Sequence, residues 1–162
     1  MTKLYEENKI TMPAKSQALE VQLKIPKKNY SVGEEIKVTV VLKNISNAPL
    51  TINKRMGINP KEMAERYWEV KFDIVYPPVE EEHLIPSTLI NRGEPEREDF
   101  AVLPPRHKIQ ETYTLSDYYW MGLIGTYKIR AIYHNADDGK KFGLSAWTGE
   151  ISSNPIYLKV TK

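Results

Sequence analysis

The amino-acid sequence predicts an all-β chain folded as a sandwich of two antiparallel sheets with about seven to nine strands. Short apolar–polar alternations recur along the chain and are separated by turn residues at intervals typical of sandwiches. A glycine turn also opens a terminal hairpin, whose second strand runs from about residue 150 to 160. The first strand of this hairpin places four residues on one face: Tyr127, Ile129, Ala131 and Tyr133.

Three strand signals lie in the first third of the chain. Apolar residues alternate with polar ones over residues 19–25 and again over residues 36–42. The turn between them carries Pro26 and Gly33, which favour irregular backbone. A shorter strand is predicted directly after Pro49, and because proline cannot donate to a ladder this strand is expected at an edge.

The middle of the chain is less regular. Pro60 suits the first position of a helical turn, which is predicted near residues 60–66. Residues 77–99 are rich in proline and glutamate and are predicted to form a long loop with one short strand near residues 84–90. Between these regions a strand over residues 67–76 places four side chains on one face: Trp68, Val70, Phe72 and Ile74.

Two more strands, at residues 100–103 and 109–115, flank a proline turn. Residues 1–16 are polar and aperiodic, so they are predicted to form an N-terminal arm, and the sandwich domain occupies residues 17–162. The combined patterns predict these core residues: Ile36, Val38, Val40, Leu42, Val70, Phe72, Ile74, Tyr127, Ile129 and Ala131.

Two segments carry motifs of a known class of domain. Residues 30–44 contain Y-x-x-G-E followed by L-x-N, and residues 125–154 contain G-x-Y-x-x-x-A-x-Y followed by W-x-G-x-x-x-S-N. In this order the motifs resemble the immunoglobulin-like domains of bacterial envelope and secreted proteins. The resemblance implies an immunoglobulin-like sandwich and a binding or spacer module, typically outside the cytoplasm.

Composition excludes several classes of function. Lys and Arg total 23 against 21 for Asp and Glu, a balance that argues against a nucleic-acid partner. The chain has no cysteine, which excludes disulfides, thiolate metal sites and cysteine nucleophiles. No apolar run approaches the length of about 20 residues that a membrane span needs.

The N-terminal residues lack the apolar core of a signal peptide. We therefore expect a cytoplasmic location for the chain as it stands. If a signal peptide has been removed, the resemblance favours the periplasm or the cell surface.

No set of residues predicts catalysis, a cofactor or a metal centre. His83, His107 and His134 are far apart, and no serine sits in a Gly-x-Ser-x-Gly elbow. Asp137 and Asp138 could contribute to a calcium site, but a strand-to-strand turn is the favoured interpretation.

The candidate binding residues are aromatic. Tyr118, Tyr119 and Trp120 precede Met121, and four bulky residues in a row exceed what alternation can bury. The candidate contact surface is therefore formed by Tyr118, Tyr119 and Trp120, and Trp147 could extend it. The favoured interpretation of the cluster is nevertheless that these side chains plug one end of the sandwich before Tyr127.

Three functions are compatible with these observations. The favoured one is a non-enzymatic module that binds a protein partner or spaces domains in a bacterial envelope assembly. The second is a protease inhibitor that presents the loop of residues 77–99. The third is a carbohydrate-binding module that stacks a glycan on the aromatic side chains.

Overall fold

The computed structural model describes residues 18–58, 68–77 and 93–162. The secondary structure in these ranges is strands and three single-turn 3₁₀ helices, so the predicted all-β class is confirmed. The strands are β1 (Leu19–Lys24), β2 (Asn29–Ser31), β3 (Lys37–Asn44), β4 (Leu50–Asn53), β5 (Val70–Val75), β6 (Phe100–Leu103), β7 (Lys108–Thr114), β8 (Gly125–Asn135), β9 (Gly149–Ser152) and β10 (Ile156–Thr161). The 3₁₀ helices span Arg97–Asp99, Leu115–Asp117 and Lys140–Phe142.

Some predicted elements cannot be compared with the structure. The N-terminal arm, the helical turn near residues 60–66 and the short strand near residues 84–90 lie outside the described residues. Among the residues that are described, no helix is long and apolar enough to cross a membrane.

The strands form three sheets rather than two. One sheet has the order β1-β3-β7, and a five-stranded sheet has the order β2-β10-β8-β5 with β9 also paired to β8. The third sheet is the pair β4-β6. Neighbouring strands are antiparallel, except that β2 and β10 are parallel. The third sheet escaped prediction because Leu50 pairs with Leu103, far along the chain, and local patterns do not report such pairing.

Among the residues that the structure describes, one hydrophobic core joins the three sheets. Of the predicted core residues, Ile74 alone is half-buried, and it packs against the core that contains the others. The core takes side chains from the inner faces of all three sheets, among them Val40, Tyr113, Phe72, Ile129, Ile52 and Leu103. Alternation therefore predicted which face of each long strand is buried.

Tyr127 fixes the turn that leads into β8. Its ring is fully buried, and its hydroxyl donates to the Leu123 carbonyl (2.8 Å) while accepting from the Leu123 N–H (2.9 Å). This hydroxyl therefore ties the start of β8 to the backbone of the turn that precedes it. Gly125 sits in the turn at a φ of 138°, and a Cβ there would lie 2.7 Å from the Cβ of Pro77. Both the backbone angle and the contact require glycine at this position.

The last predicted strand is broken into β9 and β10. The break falls at Pro155, which has no N–H to give to a ladder. Ser153 maintains the pairing at this point, because its N–H donates to the Ala131 carbonyl (2.8 Å) and its hydroxyl accepts from the Ala131 N–H (2.9 Å). In the Ser-Asn motif, the Ser153 hydroxyl thus accepts the hydrogen bond from Ala131 that a strand carbonyl would otherwise accept.

Asn44 ties the end of β3 to the third sheet. It is fully buried, and its amide donates to the carbonyls of Ala48 (2.8 Å) and Leu103 (2.9 Å). Its side-chain oxygen accepts from both the N–H and the hydroxyl of Ser46. Asn44 thus satisfies backbone carbonyls near the ends of strands with its side chain.

Candidate functional site

The predicted aromatic surface is divided between the interior and the surface of the molecule. Tyr119 is 5% exposed and Trp147 is 3% exposed, so both rings belong to the core. Tyr118 and Trp120 are half-buried. A contact surface built on these aromatic side chains is therefore limited to Tyr118 and Trp120.

Tyr119 has a structural role that explains its burial. Its hydroxyl accepts a hydrogen bond from the backbone N–H of Phe72 at 3.0 Å. The two rings meet edge to face with their centroids 6.0 Å apart. Tyr119 thus packs against β5 from inside, as the plug interpretation predicts.

Trp147 is held by a different set of contacts. Its backbone N–H donates to the Thr51 carbonyl at 2.9 Å, which links the loop before β9 to β4. Its ring packs 5.7 Å from that of Tyr133. A Cβ at Gly149 would come within 3.3 Å of the Trp147 ring, so the W-x-G spacing leaves room for the indole.

The buried tyrosines predict a loss of stability in alkali. Burial raises the pKa of Tyr119 to about 12, whereas a tyrosine in an unfolded chain titrates near about 10. The unfolded chain therefore loses this proton first. The stability that this group contributes is fully present below pH 10 and should fall by about 1.4 kcal/mol per pH unit between about pH 10 and 12.

Urea unfolding at several pH values across this window would measure the fall. Tyr119→Phe is the matched variant, because it removes the titrating hydroxyl and keeps the ring. Its free energy of unfolding should decline less steeply than that of the parent. Parallel declines in the two proteins would contradict a coupling between Tyr119 ionisation and folding.

The acidic residues after β8 serve the turn. The Asp137 carboxylate accepts from the Gly139 N–H (2.8 Å), and that of Asp138 accepts from the Lys140 N–H (2.9 Å). Gly139 has a φ of 72°, which suits glycine. In the described ranges no three His, Cys, Asp or Glu side chains are grouped so that they could hold a metal ion.

Calcium is accordingly expected to change the melting temperature by less than about 1 °C, because only a ligand of the folded state stabilises it. Thermal unfolding with millimolar calcium or with chelator measures this. A rise of several degrees that Asp137→Asn and Asp138→Asn together abolish would overturn the assignment of this segment as a turn.

A buried ion pair lies at one side of the molecule. Arg55 Nε and Nη2 donate to the two carboxylate oxygens of Glu69, each at 2.9 Å. Glu69 is 2% exposed and also accepts from the Gly57 N–H at 3.0 Å, while Arg55 Nη1 donates to the Gly93 carbonyl. Hydrogen bonding to Glu69 raises the pKa of Arg55, so the guanidinium keeps its positive charge.

Sequence reasoning missed this pair. Alternation around Trp68 and Val70 places Glu69 on the opposite, outward face of its strand. In the structure β5 begins only at Val70, so the alternation does not govern Glu69. No local signal connects Glu69 to Arg55, which lies 14 residues earlier.

The segment after β4 spans the edges of two sheets. Ile58 forms a parallel bridge with Val70 at the start of β5. The Met56 carbonyl accepts from the Tyr113 hydroxyl of β7 at 2.5 Å. Met56 itself has a φ of 49°, an uncommon angle for a side chain of this size. The Glu69 carboxylate fixes this segment as well, because it binds both the Arg55 guanidinium and the Gly57 N–H.

A cleft of about 430 Å³ opens between this segment and β7. Exposed carboxylates of Glu111 and Asp117 line it, together with the half-buried ring of Tyr118. The guanidinium of Arg55 also lines it, but Glu69 neutralises its charge. The cleft therefore has net negative character and one aromatic wall. Of the candidate binding residues predicted from the sequence, Tyr118 is the one that lines this cleft.

The outer edge of β7 borders the cleft. Within the described ranges β7 pairs with β3 alone. In an antiparallel pair, every second residue of a strand directs its N–H and carbonyl to the partner strand. The Leu115 N–H donates to the Ile36 carbonyl, so Leu115 is one of the residues that face β3. The backbone groups of Thr112 and Thr114 therefore point away from β3. These donors and acceptors face the side on which a further strand could lie.

Comparison with known proteins adds no family: no family model matches this chain, and no curated protein sequence matches it. A function for the chain is therefore inferred from the geometry of the cleft and of the sheet beside it.

Proposed function

We propose that this chain is an immunoglobulin-like, non-enzymatic binding module that takes an extended segment of a protein partner into the cleft beside β7. The segment would pair with the outer edge of β7 and extend its sheet by one strand. A setting in a bacterial envelope follows from the sequence resemblance and belongs to the same proposal.

The order of the strands supports the immunoglobulin-like part. β1, β3 and β7 share one sheet while β5, β8 and β10 share another, which matches the two sheets of that sandwich if β4 and β6 form an additional pair. Tyr127 bonds the backbone four residues upstream, as the tyrosine corner of such domains does.

The exposed edge of β7 is the observation that carries the binding part. The residues Gln110, Glu111 and Thr112 are all exposed, and in the part of the chain that the structure describes β7 pairs with β3 alone. Recognition by strand addition uses backbone hydrogen bonds for affinity and neighbouring pockets for specificity. The cleft supplies such a pocket, and its volume lies within the range of about 300–1,000 Å³ of small ligand sites.

The charge of the cleft indicates the kind of segment. Glu111 and Asp117 bring two carboxylates to it, and Arg55 brings no net charge because Glu69 compensates it. A lysine or arginine side chain of the partner would be attracted to these carboxylates. An apolar or aromatic side chain beside it would pack on Tyr118.

Substitution of Thr112 tests the proposal. Thr112→Pro removes a backbone N–H that points away from β3, so no ladder bond is lost and the fold should persist. Thr112→Val is the matched control, since it also removes the hydroxyl that bonds Thr39 but keeps the N–H. Peptides selected by phage display on the parent protein provide the probe.

Selected peptides should bind Thr112→Val within about twofold of the parent and Thr112→Pro about tenfold more weakly, a loss of about 1.4 kcal/mol. The Thr112 amide should also exchange with deuterium more slowly when a peptide is bound. Equal binding to both variants, or a selection that yields no peptide, would contradict strand addition at β7.

The other functions considered from the sequence are less well supported. With Tyr119 and Trp147 buried, a glycan could stack only on Tyr118 and Trp120, which leaves a small platform. The loop on which an inhibitor would rely lies largely outside the described residues, and that alternative stays a prediction.

A further inference from the structure

The outer face of the five-stranded sheet carries exposed apolar side chains in line with a lysine. Alternation along β8 turns Lys128 away from the core residues Tyr127 and Ile129. The register places Val75 of β5 and Tyr157 of β10 directly on either side of Lys128. Val75 is 55% exposed and Tyr157 is 53% exposed, so the row lies open to solvent across three strands.

The next row on this face contains an arginine without a partner. Arg130 is registered opposite Asp73, but among the described residues no ion pair joins them and no hydrogen bond from Arg130 is present. Its Nε atom is buried and bonds no acceptor. The two Nη groups are not buried, and no described carboxylate compensates the charge of the guanidinium. An incoming carboxylate could therefore pair with the Nη groups through charge-assisted hydrogen bonds.

The charge on this face has an excess of positive groups. Lys128 and Arg130 lie at its centre and Lys159 lies on β10, against the single carboxylate of Asp73 in the same rows. Apolar side chains interrupt these charges, and the whole chain is nearly balanced in charge. This mixture fits a protein surface better than a nucleic acid or an anionic membrane, which favour clustered positive charge.

We infer that the outer face of β5, β8 and β10 docks an acidic segment of a protein partner. A carboxylate of that segment pairs with Arg130, and an apolar side chain packs on Val75 and Tyr157. Arginine and tyrosine are the residue types that most often carry the affinity of protein interfaces. The inference does not depend on the cleft beside β7, because it uses a different sheet and the opposite charge.

A synthetic peptide that alternates glutamate with leucine and tyrosine is the probe, and the same peptide with glutamine for glutamate is its control. Fluorescence anisotropy measures binding to the parent, to Arg130→Gln and to Lys24→Gln. Lys24 is an exposed lysine of β1 on another sheet, so its substitution removes the same charge elsewhere. Tyr157→Ser tests the apolar contact, and melting temperatures establish that each variant is folded.

The glutamate peptide should bind the parent at least about tenfold more tightly than the glutamine peptide. Arg130→Gln should weaken binding about tenfold, Tyr157→Ser should weaken it for both peptides, and Lys24→Gln should leave it unchanged. Amide chemical shifts of the labelled protein should change on β5, β8 and β10.

Three results would overturn the inference. One is a glutamate peptide that does not bind at millimolar concentration. Another is an equal effect of Arg130→Gln and Lys24→Gln, which would indicate non-specific attraction. The third is Arg130-dependent binding of heparin or of phosphatidylglycerol vesicles without binding of the peptide, which would assign the face to a polyanion or a membrane.

Discussion

Replacing Phe72 with alanine is expected to destabilise the fold by about 3–5 kcal/mol, as large core truncations do. Phe72 is 5% exposed, and its ring meets those of Tyr113 and Tyr119 edge to face at 5.7 and 6.0 Å. Tyr113 belongs to β7 and Tyr119 to the segment before β8. Truncating Phe72 would therefore leave a cavity where the sheet of β5 packs against the sheet of β7. Urea unfolding of the parent and the variant measures the loss.

Val75→Ala is the matched control for this substitution. It lies on the same strand, but its side chain is 55% exposed, so it should change the free energy of unfolding by less than about 0.5 kcal/mol. A loss below about 1 kcal/mol for Phe72→Ala would mean that the inner face of β5 is wrongly assigned.

Replacing Arg55 with leucine is expected to destabilise the protein by about 3–5 kcal/mol. The substitution leaves the Glu69 carboxylate, which is 2% exposed, with the Gly57 N–H as its remaining described donor. It also frees the segment that forms one wall of the cleft. Chemical denaturation measures the loss, and peptide binding at the cleft should decline with it.

The double variant Arg55→Leu with Glu69→Leu distinguishes two causes of this loss: an unpaired buried charge on Glu69, and lost packing around the guanidinium. If the loss arises from a buried charge without its partner, removing that charge should restore most of the stability. A double variant as unstable as Arg55→Leu alone would show that packing around the guanidinium, rather than its charge, stabilises this segment.

The strand faces could be predicted because they depend on local periodicity. From Leu19 to Lys24 a burial pattern of alternate residues follows directly from the sequence, and in β3 the predicted residues Val38, Val40 and Leu42 are all buried, although Val41 on the other face is buried as well. Tyr127 could be predicted for the same reason, since its partner Leu123 is a near neighbour in the chain. Each of these features is contained within a short window of residues.

The remaining features depend on residues far apart in sequence. The β4–β6 sheet and the Arg55–Glu69 pair arise from tertiary packing, for which alternation carries no signal. The strand break at Pro155 could have been predicted from the proline itself, had the apolar pattern on both sides not suggested continuity. Tyr118 is the one residue of the cleft that the sequence identified as a candidate binding residue. The other walls are the edge of β7 and the segment after β4, which come together only in the folded chain.

The parallel pairing of β2 with β10 constrains how the protein folds during synthesis. The Thr161 hydroxyl donates to the Tyr30 carbonyl 131 residues earlier, and the ladder between these strands has the same long span. Early strands can associate on the ribosome, but β10, the strand that β2 pairs with among the described residues, is available only after residues 156–161 have emerged. We therefore expect slow closure of this sheet, with β2 exposed to chaperones until β10 has been synthesised.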